Sequence, residues 1–296
     1  MMPKRKVIPV FLVVATILVL SGCRSQMVTS PEDSIVPVQK LSKNGDIIIL
    51  LDADKMPSLV SSIAGKEVGA RAEKVTVDLT PIDDTTYPLE ADNFQYNVVM
   101  EGDFPVFVTA ALRLSSDLKK KESGNITYYE GSDYSVGLIK PNMMGVSNAS
   151  YVDLRNTMKS STSYYDDKLA ILDMYDADLS LMSIKPKTMF DLHLGITQPM
   201  YEKMDLFRFS VITNDENARL IEGVFTMDSQ SHSDAMFKAL KTGYVSNLRR
   251  EKQKLDFAAL TKIITQDGLD VEIHDMPLGD EQYKQITDQI LASADF

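Results

Sequence analysis

Five consecutive aliphatic residues, Ile47 to Leu51, follow Asp46 in a run of strand length, apolar enough for a strand buried on both faces. Pro57 sits where a first helical turn tolerates it and opens a short helix with Leu59, Val60 and Ile63 on one side, stopped at Gly65. Glu73–Leu79 alternates apolar with polar, and Phe94–Met100 is rich in aromatic and β-branched residues, so both predict strands. The stretch from Pro105 to Lys119 predicts a helix. Three more strands are predicted over Ile126–Tyr129, Tyr134–Ile139 and Met143–Ser147, with turns at Glu130-Gly131-Ser132 and Pro141-Asn142 making them a meander.

The pattern then begins again. Asp178-Leu179-Ser180-Leu181-Met182 answers Asp46-Ile47-Ile48-Ile49-Leu50 at a displacement of 132 residues (178 − 46). A second echo sets Glu101-Gly102 beside Glu222-Gly223, displaced by 121 (222 − 101). Beyond it, Met236, Leu240, Tyr244 and Leu248 recur every four residues and place one apolar stripe on a helix with Ser233 near its start. Phe257, Leu260, Ile263 and Ile264 mark another helix behind Asp256. A strand over Leu269–His274 and a last helix from Asp280, with Tyr283, Ile286 and Ile290 inward, close the series. This order predicts an α+β fold of two tandem units, read as a duplication, each an antiparallel sheet with helices packed on one face. The units span residues 45–159 and 166–296, joined by a linker at 160–165 that contains Ser160-Ser161-Thr162-Ser163.

Ahead of the first unit the pattern changes. Lys4, Arg5 and Lys6 precede an apolar run from Val7 to Leu20, which ends at Ser21, Gly22 and Cys23. The run is 14 residues long, short of the roughly 20 that cross a bilayer, so residues 1–22 read as a cleaved export signal. Leu20-Ser21-Gly22-Cys23 resembles the lipobox of bacterial lipoproteins. The resemblance implies cleavage before Cys23, diacylglycerol on its thiol and acylation of the new amine. Cys23 is the one cysteine of the chain, so no internal disulfide forms, and thioether formation removes a thiol that would be a liability in an oxidising compartment. Each buried acyl methylene contributes about 0.8 kcal/mol, and two or more chains hold a protein stably on a membrane. Residues 23–44, with Pro31, Pro37 and several serines, read as a lipidated tether. The resemblance extends to sorting: Arg24 follows the cysteine where the familiar inner-membrane retention signal has Asp, which favours the outer membrane, on its periplasmic face or at the cell surface.

The formal charge of −11 becomes −14 once Lys4, Arg5 and Lys6 are removed with the signal. So acidic a body opposes nucleic acid and gives no general attraction to anionic headgroups. The membrane is therefore expected as a partner through the lipid on Cys23 alone.

Candidate chemistry is sparse. The three histidines, His193, His232 and His274, lack the companions of a zinc site. Ser231, His232 and Asp234 are the residue types of a hydrolytic triad, but neighbours along one turn point apart, and no GxSxG elbow is present. Acid pairs occur at Asp52/Asp54, Asp83/Asp84, Asp166/Asp167 and Asp173/Asp176/Asp178. None fits a calcium loop, and Asp52/Asp54, ending an apolar strand, is the candidate metal pair. No glycine-rich phosphate cradle appears, so no cofactor is expected. Tyr128/Tyr129 and Tyr164/Tyr165 are candidates for a binding face. Met143, Met144, Met204, Met227 and Met236 suit either an adaptable groove or the core. No residue is assigned a catalytic role. The expected function is a membrane-anchored envelope protein that binds or assembles a protein or lipid ligand. The alternatives are an envelope hydrolase using carboxylates on cell-wall glycans, and a structural surface lipoprotein.

Overall fold

The computed structural model describes residues 36–41, 47–64, 66–82, 94–104, 108–184, 186, 192, 194–250 and 257–293. The aliphatic run after Asp46 is strand β1 (Ile47–Asp52), buried at every position but its last. It lies inside one antiparallel sheet, twelve-stranded among the described residues. From β1 the sheet grows one way through β2 (Ala72–Pro81), β3 (Phe94–Gly102), β7 (Met143–Ser147), β6 (Ser135–Lys140), β5 (Ile126–Glu130) and β4 (Lys119–Ser123). It grows the other way through β8 (Leu179–Ile184), β9 (Met204–Thr213), β10 (Arg219–Met227), β12 (Asp270–Pro277) and β11 (Ile264–Asp267). The two expected units are thus wings of a single sheet, joined where β1 pairs with β8.

Near the seam the wings repeat residue for residue. Ile47 pairs with Leu79 in the first wing and Leu179 with Val211 in the second, both partners displaced by 132. Strand β3 becomes β10 at a displacement of 125 (219 − 94). Even the irregularities match. A bulge separates Ala72–Gly102 from Lys74–Glu101, and its counterpart separates Met204–Met227 from Leu206–Thr226. The Asp178 echo carried the true displacement. The Glu-Gly echo did not, because at 125 Glu101 answers Thr226 rather than Glu222. That slip of four is even, and in a strand an even slip keeps every side chain on its own face, so alternation alone cannot expose it.

One sheet face carries Ile49, Val77, Val98, Leu181, Phe207 and Phe209 beneath helices that include α2 (Pro57–Ala64), α8 (Gln230–Arg250) and α10 (Asp280–Ser293). The other face, with Ile48, Leu50, Val99 and Met182, lies beneath α1 (Val36–Leu41), α5 (Tyr151–Lys159) and α6 (Lys168–Asp176). Helices therefore pack on one face of the second wing and on both faces around the first wing and the seam. This is why β2 is buried continuously from Lys74 to Leu79, where its sequence alternates. Helix α1 falls within the stretch expected as tether, yet Val38 and Leu41 are buried, so the folded body begins by Val36.

The difference between the wings has a local cause. A Cβ at Gly137 would stand 2.7 Å from the Tyr151 ring, and one at Gly145 would stand 3.1 Å from Leu154. These two glycines, paired across β6 and β7, make the seat of α5. Their counterparts in the pairing are Thr265 and Glu272. Two side chains occupy the seat, and α10 packs on the opposite face instead.

The helix expected over Pro105–Lys119 is described as α4 (Val108–Leu114), after which the chain becomes β4. All five β4 residues, Lys-Lys-Lys-Glu-Ser, are exposed. An edge strand with no apolar side chain has no hydrophobic signature, and its lysines are of the kind that discourage pairing with another chain.

Candidate functional site

Helix α8 is laid against the sheet by the stripe read from the sequence. Met236 and Leu240 are fully buried and Leu248 nearly so, while Tyr244 is half-buried. Its first turn is fixed to β11 and the β11–β12 turn, because Ser233 Oγ donates to the Gly268 carbonyl at 3.1 Å and Gln266 Nε2 donates to Asp234 at 2.8 Å. Farther along, Gly243 lets the helix touch the backbone at Leu194, where a Cβ would lie 2.4 Å from the carbonyl oxygen. Helix α10 is anchored across the seam by Tyr283, whose hydroxyl donates to Met56 Sδ at 3.0 Å while Arg219 stacks 4.1 Å above its ring.

Between α8, α10 and strands β11 and β12 lies a pocket of about 140 Å³. Leu240, Leu248, Ile264, Ile273, Met276 and Leu278 supply most of its wall. Asn247, Gln282 and Tyr244 are its polar side chains. Gln282 is 4% exposed and donates to the Leu192 carbonyl at 3.4 Å. The lining contains no Asp, Glu or His. Pockets for drug-sized ligands run from about 300 Å³ upward, whereas an apolar cavity of about 150 Å³ accepts a benzene-sized group. The scale is that of one apolar side chain.

Elsewhere the structure gives the sequence candidates local roles. Asp52 accepts from Lys74 Nζ at 2.8 Å through one oxygen, and from the backbone N–H groups of Asp54 and Lys55 at 3.0 Å through the other. Lys74 also reaches the Tyr175 carbonyl and lies 4.3 Å from the Tyr175 ring. Asp54 is exposed, so the pair makes a turn rather than a cradle for a cation. Among the described residues no group of three or more His, Cys, Asp and Glu is placed to hold a metal. Asp167 caps α6 by accepting from Ala170 N–H at 3.0 Å, and Asp178 pairs with Lys55 at 3.0 Å. Asp166, Asp173 and Asp176 are exposed. Cys23, Asp83, Asp84 and His193 lie outside the described residues.

His232 meets Asp228 and Ser229, and both reach Nδ1. A relay needs its carboxylate and its nucleophile on opposite nitrogens. Ser231 and Asp234 turn to other partners, so no triad assembles. His274 Nε2 lies 3.0 Å from both Thr265 and Glu272 on the half-exposed face of the second wing. Beside it, burial holds the Glu222 carboxyl above its usual range, although Asp275 N–H donates to it at 3.0 Å. Tyr129 is buried with its hydroxyl on the Thr109 carbonyl, and Tyr128 stacks on Tyr151 at 5.6 Å. Tyr164 is exposed and Tyr165 half-buried. Met143, Met144, Met204, Met227 and Met236 are all buried, which makes them core.

No protein-family model matches the chain. No curated protein matches it either. Solved structures do resemble it. Crystal form I of TP0453 aligns with a TM-score of 0.52 at 12% identity, over 84% of this chain and 96% of that one. Crystal form IV gives 0.52 at 12% identity over 86% and 96%. Crystal form III gives 0.51 at 11% identity over 84% and 97%. At this identity the likeness is one of fold. Among the described residues no helix is long and apolar enough to cross a membrane.

The stripe on α8 was readable in advance, but the pocket it lines was not. Gln282 and Asn247 carry no signal in sequence. Their place depends on α10 packing beside α8 on the same sheet face.

Proposed function

We propose that the chain is a lipid-anchored protein of the bacterial envelope that binds or assembles a protein partner, taking one apolar side chain of that partner into the pocket between α8 and α10. The pocket carries the reading, because it is apolar, sized for one side chain and free of carboxylate and imidazole. The anchor rests on Leu20-Ser21-Gly22-Cys23, and Arg24 favours the outer membrane. The rival, carboxylate chemistry on glycans, has less to draw on. Asp52 is committed to Lys74, and Asp167 to a helix cap.

A photo-crosslinking amino acid at Asn247 in the native protein, in intact cells, tests the binding reading. A discrete adduct at Asn247, absent when the same group replaces exposed Glu281, is expected. Equal labelling at both positions, or none at either, removes the pocket from the proposal. Incorporation of a labelled fatty acid, lost in Cys23→Ala, tests the anchor.

A further inference from the structure

The acid of this body is unevenly spread. On the sheet face covered by α1 and α5, the outer layer of the first wing carries Lys40, Lys119, Lys121, Lys140, Arg155 and Lys159, all exposed or half-exposed. Their neighbourhood is documented by contact. Helix α1 packs on α5, and Lys40 reaches the Ser160 carbonyl at the end of α5. Burial and the Lys140 charge lower the Lys40 pKa. On the other side, Lys121 stands opposite Tyr128 in the β4–β5 pairing, Tyr128 stacks on Tyr151, and Arg155 lies one turn along the same helix. Two exposed or half-exposed carboxylates intervene, Glu130 at 3.0 Å from Lys121 and Asp153 on α5, and two more, Asp78 and Glu101, are buried beneath them on the same sheet face. Six cations against these four carboxylates leave a net positive patch on a chain whose mature charge is −14.

The patch also lies where the tether arrives. Helix α1 belongs to this layer, and the segment between Cys23 and Val36 spans at most about 45 Å. From the charge of this layer and the point at which the chain enters it, we infer that the α1, α5 and β4 face is a docking surface for the anionic headgroups of the bilayer that holds the acyl chains. The net charge of the body does not prevent this. Screening confines electrostatics to about 8–10 Å at physiological salt, so headgroups under the patch respond to it rather than to acids beyond that range. Each Lys or Arg held at an anionic surface strengthens attachment about fivefold. Docked this way, the pocket on the other sheet face points away from the membrane.

The inference rests on the lipid-anchored reading, and the two can fail separately. The mature chain carrying Cys23→Ser, made without its export signal so that no acyl chain is added, is mixed with vesicles of phosphatidylcholine alone or with about one-third phosphatidylglycerol and sedimented. Binding to the anionic vesicles is expected to exceed binding to neutral ones at least about tenfold at low salt, and to fall at least about tenfold in K119E/K121E/K159E. D280K/E281K, on the far face, is expected to lose nothing. If the reversed lysines disturb folding, seen as a lowered Tm, K119Q/K121Q/K159Q serves in their place with a smaller loss. Equal sedimentation with both vesicle types, or binding untouched by either lysine set, overturns the docking surface while leaving the anchor standing. If the vesicles behave as expected but native Cys23 takes up no labelled fatty acid, the anchor falls instead.

Discussion

Ile49 lies directly opposite Leu181 across the seam of the sheet, and the two are 132 residues apart, the displacement that relates the wings. A residue paired with its own counterpart marks a local twofold axis. About that axis Ile47 faces Ser183 and Leu51 faces Leu179, as the edge strands of two identical subunits would. The seam therefore has the self-complementary geometry of a twofold interface, within one chain.

The first prediction tests that interface. Ile49→Ala and Leu181→Ala are each expected to cost about 2–5 kcal/mol, since both side chains are buried within one core. The double variant should depart from additivity by about 0.5 kcal/mol or more. Urea unfolding monitored by circular dichroism measures both quantities. Strict additivity would mean that the seam residues do not share a packing site.

Gly243→Ala makes a second test, because two effects of opposite sign compete. Helix propensity alone favours Ala by about 1 kcal/mol. The added methyl would stand 2.4 Å from the Leu194 carbonyl, and a backbone atom cannot rotate away. The clash is expected to win by about 1–3 kcal/mol and to displace a wall of the pocket. A raised Tm with unchanged crosslinking at Asn247 would show that α8 does not depend on this close approach.

Lys74 and Asp52 form a third case, a pair whose side chains are 10% and 15% exposed. Lys74→Ala strands a carboxylate that retains its two backbone donors, so the expected loss is about 2–4 kcal/mol rather than the full cost of a bare buried charge. Lys74→Met combined with Asp52→Asn keeps the volume and the turn and should recover at least half of it. Thermal melts decide between them. Calcium should leave the wild-type Tm unchanged, and a calcium-dependent rise would restore Asp52 as a metal ligand.

How much of this was legible beforehand follows from the chemistry of each element. β1 and the α8 stripe were readable because apolar residues there are dense and regularly spaced. β4 was not, because an edge strand of Lys and Glu has nothing to bury. Helices α5 and α6 left no expectation, as each sits on a face that the one-sided reading left open. The repeat was half visible, since the displacement of 132 appears in the apolar run while the Glu-Gly echo misled. The site fared worst. The acid pairs drew attention by composition, but their partners, Lys74 and the turn amides, are assembled only by the fold.

The Glu222 carboxyl gives a pH prediction. Burial raises its pKa above the ordinary 4.5, outweighing the Asp275 N–H and His274, which lower it. A carboxyl raised in the folded state binds protons more tightly there than in the unfolded chain. Stability therefore falls as pH rises through the interval above 4.5, and is recovered on acidification. Glu222→Gln removes the charge and keeps an acceptor for Asp275. Its Tm should exceed that of the wild type at neutral pH by a small margin that closes as pH falls toward 4.5. A margin that widens on acidification would contradict this sign.

The position of β1 bears on what the molecule withstands. Tension on the chain ahead of Val36 enters through α1 and then reaches a strand hydrogen-bonded on both sides, to β2 and to β8. Drawing β1 along its own axis loads two ladders in shear together. A pull on an edge strand would instead open one ladder bond by bond. The fold thus meets mechanical load at the middle of its sheet, where the chain is hardest to extract.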